Sequence, residues 1–143
     1  MTAALVLDAS ALVALLADGG DMGEWVASEV AAKRLAAPEL VLYEVANVLR
    51  RQARHGVLEA AEATSAHADL LALPIELWPY EPLAERAWAL RDNVTVYDAV
   101  YVALAELLTA PLLTLDERLS RATGPRCRVL TPPHRTSAPG GTC

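Results

Sequence analysis

The stretch LVLDASALVALLADGG, residues 5–20, is the most apolar run of the chain, and it carries an aspartate, Asp8, within it. The apolar segment 4–8 is followed by a helical pattern that begins near Ser10 and stops at the glycine pair 19–20, which is typical of a buried parallel strand feeding a helix. A buried, unpaired carboxylate is costly or stays protonated. Asp8 therefore needs an explanation: a secretory signal peptide, a cap on the following helix, or a site that uses the charge.

The signal-peptide explanation of Asp8 fits poorly. No Lys or Arg precedes the apolar run, and the aspartate interrupts what would be its hydrophobic centre. No other segment reaches the roughly 18 uninterrupted apolar residues that a membrane span needs. We therefore expect a cytoplasmic protein without a membrane anchor.

The composition favours a single globular domain of 143 residues, of which 54% are hydrophobic. The formal charge of −6 excludes a protein that coats nucleic acid through bulk positive charge. It leaves open an enzyme whose acidic centre holds a metal ion. The two cysteines, Cys127 and Cys143, lack metal-site spacing, and we expect free thiols in a reducing compartment.

Strand and helix patterns alternate along the whole chain. Strands are predicted over 4–8, 34–37, 74–78, 112–116 and 127–131, with helices over about 10–18, 22–33, 38–55, 59–71, 82–91, 97–108 and 117–122. Pro38 is expected to open its helix as the first helical residue. This alternation predicts an α/β protein, a three-layer α/β/α sandwich on a mainly parallel sheet. The domain would span 1–131, followed by a mobile Pro/Gly/Ser/Thr-rich tail over 132–143.

Two of the predicted strands end in aspartate, Asp8 and Asp116. In open α/β sheets, ligands bind beyond the carboxyl ends of the strands, where the strand order reverses. Two such strands can aim both carboxylates at one crevice. The alternative is that each aspartate only caps the helix that follows it.

Two further acids lie on helices in apolar surroundings. Glu44, in APELVLYEVANVLRR, lies beside the apolar stripe of its helix, and Asn47 follows one turn later. Asp98, in VTVYDAVYVALAELL, occupies the first turn of a helix that is apolar nearly all round. The alternatives are a boundary glutamate paired with an arginine, and an aspartate placed to complement the helix dipole.

If the four acids converge, their repulsion requires a cation, because two charges about 4 Å apart repel by roughly 4 kcal/mol at an effective dielectric constant near 20. No His or Cys accompanies the acids in their motifs, so the ligands would all be hard oxygens. That donor set favours Mg²⁺ or Mn²⁺ over Zn²⁺.

Four motifs in this order, LDAS (7–10), YEVANVLRR (43–51), VYDAVYVALA (96–105) and LLTLDERL (112–119), resemble the signature of PIN-domain ribonucleases. The chain is most similar to the VapC-like toxins of type II toxin–antitoxin pairs, over about residues 5–130. The resemblance implies the sheet order 3-2-1-4-5 and metal-dependent hydrolysis of RNA phosphodiester bonds. It also implies a small antitoxin partner and a homodimer.

The resemblance assigns roles to individual residues of this chain. The implied catalytic acids are Asp8, Glu44, Asp98 and Asp116. Mg²⁺, which Mn²⁺ can replace, would be bound directly by Asp8 and Asp98, whereas Glu44 and Asp116 would hold metal-bound waters, position a second ion or accept the proton. Hydrogen bonds to the carboxylates or to a bound water would come from Ser10 and Thr114, and Asn47 would help to orient a ligand.

Two other functions remain open at this point. An aspartate-based phosphohydrolase also has an apolar strand ending in Asp, but it requires a second Asp two residues later, where this chain has Ser10. A non-catalytic RNA- or protein-binding module on the same fold would be indicated by the loss of one acid, and all four are present.

Overall fold

The computed structural model describes residues 2–134 and contains a single five-stranded sheet. Its strands are β1 (Ala4–Leu7), β2 (Arg34–Pro38), β3 (Ile75–Trp78), β4 (Leu112–Leu113) and β5 (Val129–Leu130). Its helices are α1 (Ala9–Ala17), α2 (Asp21–Val30), α3 (Leu40–Arg54), α4 (Ala60–Ala72), α5 (Ala84–Ala89), α6 (Val96–Leu107) and α7 (Glu117–Arg121), with a 3-10 turn at Glu81–Leu83.

All the strands are parallel, and their spatial order is β3-β2-β1-β4-β5. Because crossovers between parallel strands are right-handed, the helices that lead from β1 to β3 cover one face, and those that lead from β3 to β5 cover the other. Accordingly, α1 packs against α2, α3 and α4, whereas α5 packs against α6. The predicted three-layer sandwich and its sheet order are confirmed.

The sheet order reverses between β1 and β4, which pair through Val6 with Leu112 and Leu7 with Leu113. From β1 the chain moves outward to β2 and β3, and it later returns to place β4 on the opposite side of β1. The loops that follow β1 and β4 therefore leave the same edge of the sheet in opposite directions, which opens a crevice between them.

The core is centred on β1 and α6. Leu5, Val6 and Leu7 of β1 are at most 1% exposed, and every side chain over 99–105 of α6 is buried. Fully burying an aliphatic side chain of this size contributes about 1.5–3 kcal/mol. This packing holds the start of α6 against the carboxyl edge of the sheet.

The structure corrects the predicted bounds of three elements. Pro38 does not open α3: it ends β2, where it pairs with Trp78, and the Glu39 amide then donates to the Trp78 carbonyl at 2.8 Å. β4 is shorter than predicted because the Leu115 amide donates to the Ser10 hydroxyl rather than to a neighbouring strand. The fifth strand is also shorter, and only 129–130 pair with β4.

The chain beyond β5 is described as far as residue 134, and residues 132–134 form no helix or strand. The remainder of the predicted mobile tail, including Cys143, lies outside the described residues. Cys127 is a free, half-buried thiol. Within residues 2–134, no helix has the length and apolar character to cross a membrane.

Candidate active site

Asp8 follows β1 directly and serves both as a helix cap and as the centre of a hydrogen-bond network. Its Oδ1 accepts from the Ala11 amide at 3.0 Å, which caps α1, and from the Ser10 hydroxyl at 2.6 Å. Its Oδ2 accepts from the Thr114 hydroxyl. Burial raises the pKa of Asp8, and these three hydrogen bonds oppose that rise, while the charge of Asp98 adds to it.

The hydroxyls of Ser10 and Thr114 join the loops after β1 and β4. Ser10 Oγ accepts from the Leu115 amide at 3.0 Å, and Thr114 Oγ1 accepts from the Asp116 amide at 3.0 Å. Thr114 is fully buried. Each hydroxyl thus accepts from one loop and donates to Asp8, so both predicted supporting residues lie where they can orient that carboxylate.

Glu44 extends from α3 toward α6, where the Tyr101 hydroxyl donates to its Oε1 at 2.5 Å. Burial raises the pKa of Glu44, the hydrogen bond from Tyr101 opposes this, and the charges of Asp8 and Asp98 add to the rise. Tyr101 is 2% exposed, and burial together with the Glu44 carboxylate raises the pKa of its phenol.

Tyr101 was not among the predicted supporting residues. The available signal was its hydroxyl, three residues after Asp98, in a helix whose other residues over 99–105 are apolar. A buried phenol needs a hydrogen-bond partner. The sequence does not show that this partner is Glu44, because the two residues are 57 positions apart.

Asp98 lies in the first turn of α6, and its amide donates to the hydroxyl of the capping residue Thr95 at 3.2 Å. Burial is the main cause that raises the pKa of Asp98, and the charge of Asp116 adds to it. Hydrogen bonding with Thr95 and the charge of Arg118 act in the opposite direction. The carboxylate thus lies where the helix dipole and the crevice meet.

Asp116 differs from the other three acids because it has a cationic partner. It caps α7 by accepting from the Arg118 amide, and its two oxygens accept from Arg118 Nε at 3.1 Å and Nη2 at 3.0 Å. This contact lowers the pKa of Asp116. The Arg118 side chain is 85% exposed, so the ion pair is weakly stabilising and the guanidinium can exchange partners.

Asn47 lies on the exposed side of α3, where its Oδ1 accepts from Arg50 Nε at 3.0 Å. In the part of the chain that the structure describes, its side chain donates no hydrogen bond to any of the four acids. The role expected for Asn47 in orienting a ligand stays a prediction.

The four acids come from four separate elements and interact electrostatically around the crevice. Asp8 interacts with Glu44 and with Asp98, and Asp98 also interacts with Asp116. As the side chains stand, residues 2–134 contain no group of three or more Asp, Glu, His or Cys arranged to hold a metal ion.

The chemistry of the donor set nevertheless fits a hard divalent cation. The site offers carboxylates and hydroxyls, without imidazole or thiolate, and such oxygens are the ligands of Mg²⁺ and Mn²⁺. Burial is the main cause that raises the pKa values of Asp8, Glu44 and Asp98, and the charges of neighbouring acids add to it, so a bound cation would stabilise the ionised carboxylates.

A cleft of about 490 Å³ runs along one side of the acids. We call it the arginine cleft, and its lining includes Arg91, Thr95, Asp98, Asp116 and Arg118. Guanidinium groups bind phosphate oxygens with matching geometry. The arrangement can therefore hold a phosphate group beside two of the acids.

The PIN domain family model matches residues 5–125 of this chain. The chain is 40% identical over 129 residues to VapC ribonuclease Mb0985 of Mycobacterium bovis and to Ribonuclease VapC9 of Mycobacterium tuberculosis, covering 90% of this chain and 98% of each relative. Among solved structures, PAE2754 from Pyrobaculum aerophilum is similar, with a TM-score of 0.66, 29% identity, and coverage of 89% of this chain and 83% of that one. VapBC2 from Rickettsia felis shares the fold, with a TM-score of 0.65 at 14% identity, over 90% of this chain and 98% of that one.

Proposed function

This chain belongs to the PIN domain family, and from that premise we propose that it is a metal-dependent endoribonuclease that acts as the toxin of a toxin–antitoxin pair. The observation that carries the proposal is that carboxylates from separate parts of the chain interact electrostatically around the crevice: Asp98 with Asp8, Glu44 and Asp116. Full-length relatives that are 40% identical and are named VapC ribonucleases support it.

The proposed roles of the acids are those that the family resemblance implies. Asp8 and Asp98 would bind Mg²⁺ or Mn²⁺ directly, and Glu44 and Asp116 would hold metal-bound waters, position a second ion or accept the proton. When bound, the metal ion would supply Lewis-acid chemistry, polarising a phosphoryl oxygen and lowering the pKa of a water molecule.

The remaining groups orient these acids and the substrate. The hydroxyls of Ser10 and Thr114 hold the Asp8 carboxylate in one orientation, and Tyr101 does the same for Glu44. Arg118, which is exposed beside Asp116, is placed to pair with a phosphate oxygen of the RNA. These hydrogen bonds restrict the carboxylates before the RNA arrives, and such restriction favours the reaction.

The test is RNA cleavage by the purified chain with Mg²⁺ or Mn²⁺, with EDTA, and with the variants Asp8→Asn and Asp98→Asn. We expect cleavage only with the metal ion, and a loss in each variant larger than the roughly 10- to 100-fold typical of residues that only support a ligand. Asp69→Asn, which neutralises an exposed carboxylate on α4, is the matched control and should cleave normally. Cleavage that survives both EDTA and the two substitutions would disprove the proposal.

We also propose a small antitoxin as partner, bound in an apolar groove of about 520 Å³ beside the acids. Val13, Val48, Leu58 and Leu115 contribute to its wall, which reaches Ser10. An amphipathic helix fits such a groove. A small protein encoded next to this gene should co-purify with the chain and block cleavage, and Val48→Asp should abolish both effects.

The resemblance further implies that the chain forms a homodimer and lies in the cytoplasm, and we propose both properties. Sedimentation equilibrium of the purified protein tests the homodimer, and fractionation of the producing cells tests the cytoplasmic location. A mass of one chain at all concentrations would contradict the dimer.

A further inference from the structure

An exposed indole on α5 holds an arginine that lines the arginine cleft. Trp88 is 60% exposed, although tryptophan is highly buried on average in folded proteins. The Cζ atom of Arg91 lies 4.8 Å from the centroid of the Trp88 ring, within the roughly 6 Å of a cation–π contact. Arg91 Nη1 also donates to the Trp88 carbonyl at 2.9 Å. These two contacts restrict the position of the guanidinium.

The guanidinium of Arg91 is open to a ligand, in contrast to that of Arg86 on α5. Arg86 donates to both carboxylate oxygens of Glu106 and to the Gly124 carbonyl. Within residues 2–134, Arg91 forms no ion pair with a carboxylate, and the hydrogen bond of its side chain is the one to Trp88. A guanidinium carries five N–H donors, so most of those of Arg91 remain for a ligand.

The arginine cleft joins this guanidinium to the candidate active site, because Arg91, Asp98 and Asp116 all line it. The arginine that acts on these acids is Arg118, which pairs with Asp116 and whose charge opposes the rise in the pKa of Asp98. Arg91 thus lies in the same cleft without being neutralised by the acids. A strand of RNA with one phosphate at the acids can place a neighbouring phosphate on Arg91.

The charge of the chain makes a fixed cation valuable at this place. The net charge is −6, and the carboxylates of the site repel the phosphates of RNA. Among the described residues that line the cleft, the cationic ones are Arg91 and Arg118. Arg118 is already bonded to both oxygens of Asp116, whereas a phosphate that reaches Arg91 displaces no existing ion pair.

We propose that Arg91, held in place by Trp88, binds a phosphate that flanks the one being cleaved. The inference rests on the proposed ribonuclease function and assigns a further substrate-binding residue to it. A guanidinium can bind two phosphate oxygens at once through its edge, and stacking on the indole leaves that edge free. Trp88 is a positioning residue, because it acts through Arg91. The contact determines where the RNA backbone lies along the cleft.

The test measures the affinity of the full chain for a short single-stranded oligoribonucleotide, in EDTA to prevent cleavage, over a series of salt concentrations. A probe of arbitrary sequence suffices, because phosphate contacts carry no sequence information. One phosphate contact contributes about 0.7 to the slope of log affinity against log salt concentration for a single strand. Arg91→Gln should reduce the slope by this amount, so that it binds about fivefold more weakly at about 0.1 M salt and nearly normally at about 1 M.

Arg34→Gln is the matched control, because it makes the same change in net charge. Arg34 is exposed and begins β2, at the opposite edge of the sheet from the acids. The affinity of this variant and its salt dependence should equal those of the unaltered chain. Arg91→Lys, which keeps the charge, should retain the slope.

A double-mutant cycle tests the positioning role of Trp88. Trp88→Leu should weaken binding of the oligoribonucleotide by less than Arg91→Gln does, because the freed guanidinium keeps its charge. In a chain that already carries Arg91→Gln, Trp88→Leu should have no further effect, since the two residues act as one unit. Trp88→Phe keeps an aromatic face for the guanidinium and should bind nearly normally.

Three results would overturn the proposal. The first is an unchanged affinity and salt slope in Arg91→Gln. The second is an equal loss in Arg34→Gln, which would show an effect of net charge alone. The third is that the losses in Trp88→Leu and Arg91→Gln add, which would show that the indole contacts the RNA itself rather than acting through Arg91.

The outcome is separable from that of the ribonuclease proposal. We expect Arg91→Gln to raise KM for RNA by about fivefold and to change kcat little, as when uniform binding is lost. Metal-dependent cleavage that is lost in Asp8→Asn but has a normal KM in Arg91→Gln would refute the role of Arg91 and leave the ribonuclease function intact. Absence of metal-dependent cleavage in the unaltered chain would refute the ribonuclease function itself.

Discussion

At the scale of single residues, hydroxyl groups determine how the acids of this site are held. Asp8 accepts from Ser10 and Thr114, and Glu44 accepts from Tyr101. Each hydroxyl donates to a carboxylate oxygen, which stabilises the ionised form and restricts the side chain to one orientation. A carboxylate held in this way needs less reorganisation when a cation or a phosphate approaches.

Replacement of Tyr101 by Phe removes one of these donors and leaves the ring in the core. We expect Tyr101→Phe to lower kcat by about 10- to 100-fold, as is typical when a residue that orients a ligand is lost. KM for RNA and the melting temperature should change little. The variant Ser28→Ala, which loses a hydroxyl bonded only to the Trp25 carbonyl, is the control. An unchanged kcat would show that Glu44 does not depend on this hydrogen bond.

The raised pKa values predict how the stability of the metal-free chain depends on pH. Burial raises the pKa of Asp98 in the folded state, so as the pH increases the unfolded chain loses this proton first. The part of the folding stability that comes from Asp98 is therefore fully present at pH values below the pKa that Asp98 has in the unfolded chain. It is lost as the pH rises through the pKa that Asp98 has in the folded chain. Asp116, whose pKa is lowered by Arg118, contributes with the opposite sign: its stabilisation is present above the unfolded pKa and is lost on acidification.

Urea unfolding in EDTA from about pH 3 to about pH 7 checks both signs. Relative to Asp98→Asn, the unaltered chain should lose stability as the pH rises, by an amount of the order of 1 kcal/mol because the carboxylate is only half-buried. Relative to Asp116→Asn, the unaltered chain should gain stability as the pH rises through the acidic part of the same range. Parallel curves for the unaltered chain and Asp98→Asn would show that the Asp98 carboxylate is not destabilised by folding.

At the scale of elements, the close approach of α1 and α2 depends on one glycine. A Cβ at Gly23 would lie 1.8 Å from the Asp18 carbonyl oxygen and 2.9 Å from the Ala14 carbonyl oxygen. Both are backbone atoms, so the helices would have to move apart. This contact supports α1, whose first residue follows Asp8.

Gly23→Ala should therefore destabilise the fold, whereas Gly19→Ala should not, since nothing lies within 4 Å of a Cβ at Gly19. We expect a loss of about 1–3 kcal/mol or more for Gly23→Ala, as for other overpacked contacts. Chemical denaturation of the two variants measures the difference. Equal stability of both would mean that α2 is held more loosely against α1 than the structure shows.

At the scale of the whole molecule, the reversal of strand order between β1 and β4 collects acids that are far apart in the chain. Asp8 and Thr114 are separated by 106 positions and share a hydrogen bond. Burial, to which the charges of neighbouring acids add, raises the pKa of three of these acids, so their ionised forms are less stable in the folded chain when no cation is present. Binding of a divalent cation is then linked to the stability of the entire domain.

Addition of Mn²⁺ or Mg²⁺ should therefore raise the melting temperature of the unaltered chain. At a metal concentration about 100-fold above Kd, the expected stabilisation is about 2.7 kcal/mol. EDTA should reverse the increase, the double variant Asp8→Asn/Asp98→Asn should show none, and Asp69→Asn should respond normally. A melting temperature that is identical in Mn²⁺ and EDTA would contradict metal binding at these acids.

The sequence by itself determined the features that depend on local pattern. The apolar strand before Asp8, the alternation of strands and helices, and the apolar helix around Asp98 all follow from periodicity over short windows. The order of four acidic motifs then identified the family, and with it the sheet order that the structure confirms.

Only the tertiary structure decided which distant side chains meet and where each strand stops. The hydrogen-bond partner of Tyr101 is Glu44, and Pro38 ends a strand rather than beginning a helix. The Leu115 amide donates to the Ser10 hydroxyl, whereas in a longer β4 it would donate to a neighbouring strand. The physical reason is that these outcomes depend on contacts between segments many residues apart. Local periodicity specifies which face of an element is apolar, but the packing of the elements determines which polar groups lie within hydrogen-bond distance.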